Sequence, residues 1–332
     1  MDHGLILIIL VVVLALAFDF INGFHDTANA IATSVSTRAL SPRAAIWLAA
    51  SLNFVGALTF TGVAKAIGGS VADPTKLEHG VIIVITALIG AIIWNLATWW
   101  FGIPSSSSHA LVGSLAGAVI GAAGLQGVNF GGFLKIVQGL ILSPIIAFGI
   151  GYLLMHLLRF LFAKASPQVN KGFRSMQIVA AAFQSFSHGT NDAQKAMGII
   201  TFALVAGDFQ QEMEVPLWVK LSAAAAMALG TSVGGWKIIK TMGTKIFKIE
   251  PINGFAADLT SASVILSATL ISFPASTTHI STSSILGVGA AKRFSAVNWG
   301  MAGRIVSAWF ITIPITMIFS ALLFKLVALL FL

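Results

Sequence analysis

Long, nearly uncharged apolar runs recur along the whole chain, and no feature constrains the fold more. The clear runs are residues 44–67, 80–101, 132–158, 215–236, 253–273 and 298–324. Each is long enough to cross a bilayer, which takes roughly 20 residues of helix. Shorter apolar pieces, 5–22, 27–37, 108–123, 176–187, 193–206 and 280–290, abut polar phrases. The runs are continuous rather than alternating in ten-residue units, so the pattern is helical and not that of a barrel. Composition agrees. Of 332 residues 57% are hydrophobic and 9% charged, with a mean hydropathy of +0.93. A soluble domain carries about 25% charged residues. The expected fold class is therefore an all-α integral membrane protein with the lipid bilayer as its main solvent.

The N-terminal stretch MDHGLILIILVVVLALAF has Asp2 and His3 where a signal peptide has basic residues, and it runs on into Phe18-Asp19-Phe20. It reads as a retained membrane segment. The net charge of +8 does not imply nucleic acid, because no soluble basic domain exists to bind it. Basic residues instead mark cytoplasmic loops. Arg38 and Arg43 lie in one such stretch, Arg159, Lys164, Lys171 and Arg174 in another. Lys237, Lys240, Lys245 and Lys248 lie against Glu250 in a third, and Lys292 with Arg293 form a fourth. The stretch 65–80 balances Lys65 and Lys76 with Asp73 and Glu78, and 207–214 carries Asp208, Glu212 and Glu214.

Two phrases are written twice. GFHDTANA at 23–30 and GTNDAQKA at 189–196 place Asp26 and Asp192 166 positions apart. GIPSSSSHALVGSLAGAVIG at 102–121 and SFPASTTHISTSSILGVGAA at 272–291 place Pro104 and Pro274 170 positions apart. Two phrases in the same order at nearly equal offset indicate a duplicated unit. The expected organisation is a first repeat over 1–162, a cytoplasmic linker over 163–175 and a second repeat over 176–332. With every basic loop in the cytoplasm each half crosses the membrane an odd number of times. The second half then enters inverted, both termini fall outside, and each Asp phrase sits in a broken helix. Inverted repeats with discontinuous helices meeting near the bilayer midplane are the layout of secondary transporters. No GxxxxGK[ST] loop is present to bind a nucleotide.

In PSSSSH and PASTTH, proline suits the first turn of a helix and Ser or Thr its N-cap. Each phrase therefore places a hydroxyl-rich helix N-terminus in or beside the membrane, an end with free N–H groups and about half a positive charge that can cradle an anion. The competing bland reading is that the hydroxyls only cap helices. A carboxylate in lipid costs roughly 3 kcal/mol or more, so Asp26 and Asp192 read as functional. Asp19, about two turns earlier, is divided between function and capping. His25, His109, His188 and His279 sit in or beside the phrases but lack HExxH spacing, and cysteine is absent. No metal site and no cofactor is assigned. Gly113, Gly117 and Gly121 read as close helix packing. Ser108 and His109 are only sequence neighbours and make no triad, so the chain does not read as an enzyme.

GFHDTANAIA and HGTNDAQKAMG, each followed by a Ser/Thr-rich half-helix, resemble the inorganic phosphate transporter family, most closely its bacterial low-affinity members. The likeness spans both repeats. It implies import of inorganic phosphate, alone or as a metal–phosphate complex, with a coupling cation, H+ or Na+, through a homodimer in the cell membrane. It places substrate binding at Asp26, Ser105, Ser106, Ser107, Ser108, Asp192, Ser276, Thr277 and Thr278. It places the coupling ion or proton at His25, Asp26, Asn29, Asn191, Asp192 and Lys195. Sodium-coupled relatives carry Asn in both repeats, at the positions of Asn29 and Lys195. An ammonium has three donors and no acceptor, so Lys195 favours a proton over sodium. A sulfate or other oxyanion permease is the alternative reading. Phosphate near neutral pH retains an O–H that a carboxylate accepts, whereas sulfate has none, so the paired carboxylates favour phosphate.

Overall fold

The computed structural model describes residues 3–73, 76, 77, 79–166 and 168–331. Asp2 and Glu78, read above as part of the N-terminal and loop charge pattern, lie outside these residues. The described chain is helical throughout. The helices are α1 (His3–Ser36), α2 (Pro42–Ala57), α3 (Gly62–Ser70), α4 (Gly80–Phe101), α5 (Ser107–Ala123), α6 (Phe130–Leu161), α7 (Val169–Asp192), α8 (Gln194–Ala206), α9 (Leu217–Val233), α10 (Trp236–Lys240), α11 (Pro251–Leu270), α12 (Thr277–Lys292) and α13 (Trp299–Phe331). By length and apolarity, four of these can each cross a membrane: Gly4–Ser36, Gly80–Phe101, Phe130–Leu161 and Trp299–Leu330. A fifth candidate is the pair Leu217–Val233 and Trp236–Lys245, bent by 62°.

Local chemistry sets the helix ends. Ser41 caps α2 by accepting from the Ala44 amide at 3.3 Å, with Pro42 in the first turn. Glu250 and Asn253 cap the start of α11 reciprocally, and Pro251 follows. The chain leaves α4 at Gly102 (φ 66°) and α11 at Ser272 (φ 55°) by the same left-handed turn, which releases it into the two proline phrases. Ser106 and Ser276 then cap α5 and α12, each accepting from the backbone N–H of the histidine three residues on, at 3.2 Å.

Two expectations need correction. The first Asp phrase does not break its helix: α1 runs unbroken from His3 to Ser36. The phrase holds no proline, and its polar side chains find partners on other helices, so the backbone ladder has no reason to open. In the second copy the helix pauses only at Ala193, whose dihedrals stay helical (φ −63°, ψ −23°). Conversely, the apolar run 44–67 is not one span. It divides into α2 and α3, as 215–236 divides at Gly234 (φ 76°) before α10. Hydropathy does not register such breaks.

Helices pack across the halves of the chain. The half-helix α5 lies against α13, and α12 lies against α6. Likewise α1 packs on α9, and α7 on α2. Small residues let the backbones touch. A Cβ at Gly117 of α5 would stand 2.7 Å from Met317 Cα, and one at Gly287 of α12 would stand 3.1 Å from Phe148 Cα. Three apolar clusters result among the described residues. One gathers Val11, Ala15, Phe18, Leu111, Leu115, Ile199 and Phe202; a second gathers Ala28, Ile31, Met155, Leu158, Ile246 and Val288; a smaller third gathers Ala147, Val264, Ile265, Ala268, Ala275 and Ile280. At one end of the bundle the basic stretches meet: Arg159 donates to the carbonyls of Ala291 (2.6 Å) and Lys292 (3.1 Å), and Lys292 pairs with Glu250 at 2.9 Å. Elsewhere Lys65 approaches Glu214 at 3.9 Å.

Candidate functional site

The first Asp phrase lies mid-helix in α1 and the second at the α7–α8 junction, so both face the N-termini of α5 and α12. The two half-helices meet end to end, with the N-cap Ser276 Oγ donating to the N-cap Ser106 Oγ at 2.8 Å. Both Asp side chains are buried, as are His25, Asn29, Ser107, Thr277, Thr278 and Lys195.

Asp26 Oδ1 is bonded to His25 Nδ1 at 2.7 Å. Its Oδ2 accepts from Thr278 Oγ1 at 3.2 Å and from Ser107 Oγ at 3.5 Å. Asp192 accepts from Thr277 Oγ1 at 3.1 Å on both oxygens and from Asn22 Nδ2 at 3.3 Å. His188 Nε2 stands 3.3 Å from Asp192 Oδ2. Lys195 Nζ lies 2.8 Å from Asp192 Oδ1 and donates to Ser107 Oγ at 2.9 Å. Asn29 donates to Thr278 Oγ1 at 3.1 Å. A ligand atom from each of Asp26, His188 and Asp192 falls within 4.8 Å of the others. Lys195 Nζ occupies the space beside Asp192 Oδ1.

The expected site residues thus divide. Asp26, Asn29, Ser107, Asp192, Lys195, Thr277 and Thr278 come together, and His25 buttresses Asp26 from behind, its Nε2 held by Thr98 Oγ1 at 3.0 Å. Ser105, Ser106, Ser108 and Ser276 bond to neighbouring protein groups other than the two carboxylates. Ser105 Oγ accepts from Trp94 Nε1 at 3.0 Å, Ser108 Oγ donates to the Ala275 carbonyl at 3.1 Å, and the other two are caps. Asn191 donates to Thr269 Oγ1 at 3.1 Å, away from the carboxylates. His109 and His279 lie against each other with ring centroids 4.3 Å apart and planes tilted by 44°, and His279 stacks on Trp309.

Sequence reasoning missed several residues. Asn22 reaches Asp192 from one turn before Asp26. Gln184 donates to the Asn29 carbonyl at 3.2 Å, to Ser261 Oγ at 2.9 Å and to Ser281 Oγ at 3.1 Å. Further along α1, Thr33 donates to both oxygens of buried Asp258 at 2.6 and 2.7 Å, and Thr37 donates to Gln177 Oε1 at 2.7 Å. Asp26, Asn29, Thr33 and Thr37 recur at helical spacing, so one polar stripe of α1 continues from the site toward the end of the helix. The signal was available, since Asp258 interrupts the apolar run 253–273 just as Asp26 interrupts the first.

Long apolar helices around an enclosed, charged, hydroxyl-rich site define a multi-pass membrane carrier. The phosphate transporter family model matches residues 22–320. A probable low-affinity inorganic phosphate transporter of Bacillus subtilis (strain 168) is 57% identical, over the full length of both chains. One of Rhizobium meliloti (strain 1021) is 47% identical over 95% of each chain. A solved structure titled as the sodium-dependent phosphate transporter superposes with a TM-score of 0.87 at 25% identity, covering 97% of this chain and 99% of the other. The chain belongs to the phosphate transporter family. It is a transporter rather than an enzyme, and it is a multi-pass protein of the cell membrane.

Proposed function

We propose that the protein imports inorganic phosphate by symport with protons, binding the anion between the ends of α5 and α12 through Ser107, Thr277, Thr278 and Lys195, with Asp26 and Asp192 accepting its O–H. The two halves of the chain, 1–162 and 176–332, act as inverted repeats related through this point, and two copies form a homodimer.

The observation that carries the proton reading is the buried Lys195 ammonium, 2.8 Å from Asp192 and 2.9 Å from Ser107. It is a built-in cation at the position where the first half has Asn29. Charge balance explains why a co-ion is still needed. Two carboxylates and one ammonium leave one net negative charge, and two helix N-termini contribute about half a positive charge each. The empty site is then near neutrality. A phosphate anion entering this enclosed, lipid-surrounded site leaves it negative unless positive charge enters as well. Burial supports a carrier rather than a channel, because Asp26, Ser107, Asp192, Lys195, Thr277 and Thr278 are all buried.

One observation favours sodium instead: the structural neighbour, at 25% identity, is titled sodium-dependent. Radiolabelled phosphate uptake into proteoliposomes tests the proposal. Uptake is expected to follow an imposed proton gradient, to be unchanged when sodium is replaced by choline, and to be competed by arsenate but not by sulfate. Saturable sodium dependence contradicts the coupling, and equal competition by sulfate contradicts the substrate.

A further inference from the structure

Most of the central site is written twice, but two charged residues are not. Lys195 stands where the first half has Asn29. Asp19 stands where the second half has Ser185, whose hydroxyl simply donates back to the Ala181 carbonyl at 2.7 Å. Asp19 belongs to the same stripe of α1 as Asn22 and Asp26, at spacings that keep all three on one side of the helix. It is fully buried, and neither carboxyl oxygen has a hydrogen-bond partner. Asn95, one turn before the Thr98 that holds His25, is fully buried too, with both of its amide atoms unpartnered. Of the helices packed on α1, α7 brings Asp192 and α8 brings Lys195 into electrostatic range of Asp19, α4 carries no ionisable side chain, and α9 carries Lys220 alone.

Such a group is costly as an anion. A buried carboxylate without donors forfeits its hydration and gains nothing in return. Unlike Asp26 and Asp192, it accepts no hydrogen bond from the ends of α5 and α12. What a lone carboxyl can do here is take up one proton and give it back. We infer that Asp19 is the proton-binding residue of the transport cycle. A proton from the outer compartment forms an O–H bond at the Asp19 carboxylate as phosphate enters between the half-helices. That bond breaks, and the proton leaves to the inner compartment, as phosphate departs. The charge of Asp19 then alternates beside Lys195, which likewise has no charged counterpart in the other half. A carboxyl that shuttles between these states has no permanent hydrogen-bond partner, as observed.

This inference rests on the proton-coupled reading, and the test separates the two. Wild type, Asp19→Asn and Asp19→Glu are reconstituted in proteoliposomes. Phosphate counterflow at equal pH is measured beside accumulation under an imposed pH gradient. In detergent, protons taken up on addition of inorganic phosphate are counted with an indicator dye. The expected result is that Asp19→Asn, which keeps the shape of the neutral acid, retains counterflow within about threefold of wild type. It accumulates no phosphate above equilibrium and takes up about one proton fewer per phosphate. Asp19→Glu restores gradient-driven accumulation. Three results overturn the inference: wild-type accumulation and proton count in Asp19→Asn, loss of counterflow together with accumulation in that variant, or no rescue by Asp19→Glu. A wild type indifferent to the pH gradient overturns the coupling reading itself and is recognised before any variant is compared.

Discussion

Asp26 accepts hydrogen bonds from the ends of both half-helices, through Ser107 and Thr278, Asp192 accepts from the end of α12 through Thr277, and each has a histidine of its own helix beside it. Asparagine keeps the size of either side chain but replaces one acceptor oxygen with a donor. Asp26→Asn and Asp192→Asn are each expected to abolish phosphate uptake while the protein still reaches the membrane, measured by uptake normalised to membrane content. Near-normal uptake in either variant removes that carboxylate from the central role. The hydroxyls permit a finer comparison. Ser107 and Thr277 touch the carboxylates, whereas Ser105 is held by Trp94. Losing a hydrogen bond to a charged group costs about 1.5–3 kcal/mol. Ser107→Ala and Thr277→Ala should therefore weaken apparent phosphate affinity about ten- to hundredfold, and Ser105→Ala should leave it within about twofold. Equal effects at all three positions contradict the division of the serine run into binding and scaffold residues. Because Lys195 is proposed to stand in for a cation, Lys195→Asn is expected to lose sodium-independent uptake at least tenfold. Uptake in that variant that remains both rapid and sodium-independent counts against its role.

At the scale of elements, the half-helices hold their places because glycines let backbones touch. Gly117 lies on Met317 and Gly287 on Phe148, whereas a Cβ at Gly149 of α6 would meet nothing within 4 Å. Forcing a side chain into such a contact costs typically about 1–3 kcal/mol. Gly117→Leu and Gly287→Leu are each expected to lower the melting temperature of the purified protein and broaden its size-exclusion peak, with Gly149→Ala close to wild type. Unchanged melting in the leucine variants contradicts the close packing of α5 on α13 and α12 on α6. Much of this level was legible in the sequence. The proline phrases announced α5 and α12 because Pro followed by Ser or Thr is the chemistry of a helix start, and the Asp phrases stood out because carboxylates are rare in apolar runs. The continuity of α1 was not legible. Whether a polar phrase breaks a helix depends on partners such as Thr98 and Thr278, which are distant in sequence. The division of 44–67 was hidden for the complementary reason: hydropathy measures solvent, not backbone direction. The roles within Ser105–Ser108 could not be read at all, since adjacent hydroxyls differ only in which way the folded chain points them.

For the whole molecule, charge sets the requirement. Asp26, Asp192, Lys195 and the two helix ends sum to near neutrality, so a phosphate anion is expected to enter this buried site only with accompanying positive charge. On the proposed reading Lys195, 2.8 Å from Asp192, stands in for a second-half sodium, and the unpartnered Asp19 offers a place for a proton. The most direct measurement is accumulation of radiolabelled phosphate in proteoliposomes of the purified protein, in sodium-free choline buffer, with the outside made acidic. The expected result is concentrative, saturable uptake that collapses on adding a protonophore and does not rise when sodium is restored. Uptake that is absent without sodium and grows steeply with its concentration would contradict the claim and direct attention to Asp26 and Asn29 as sodium ligands.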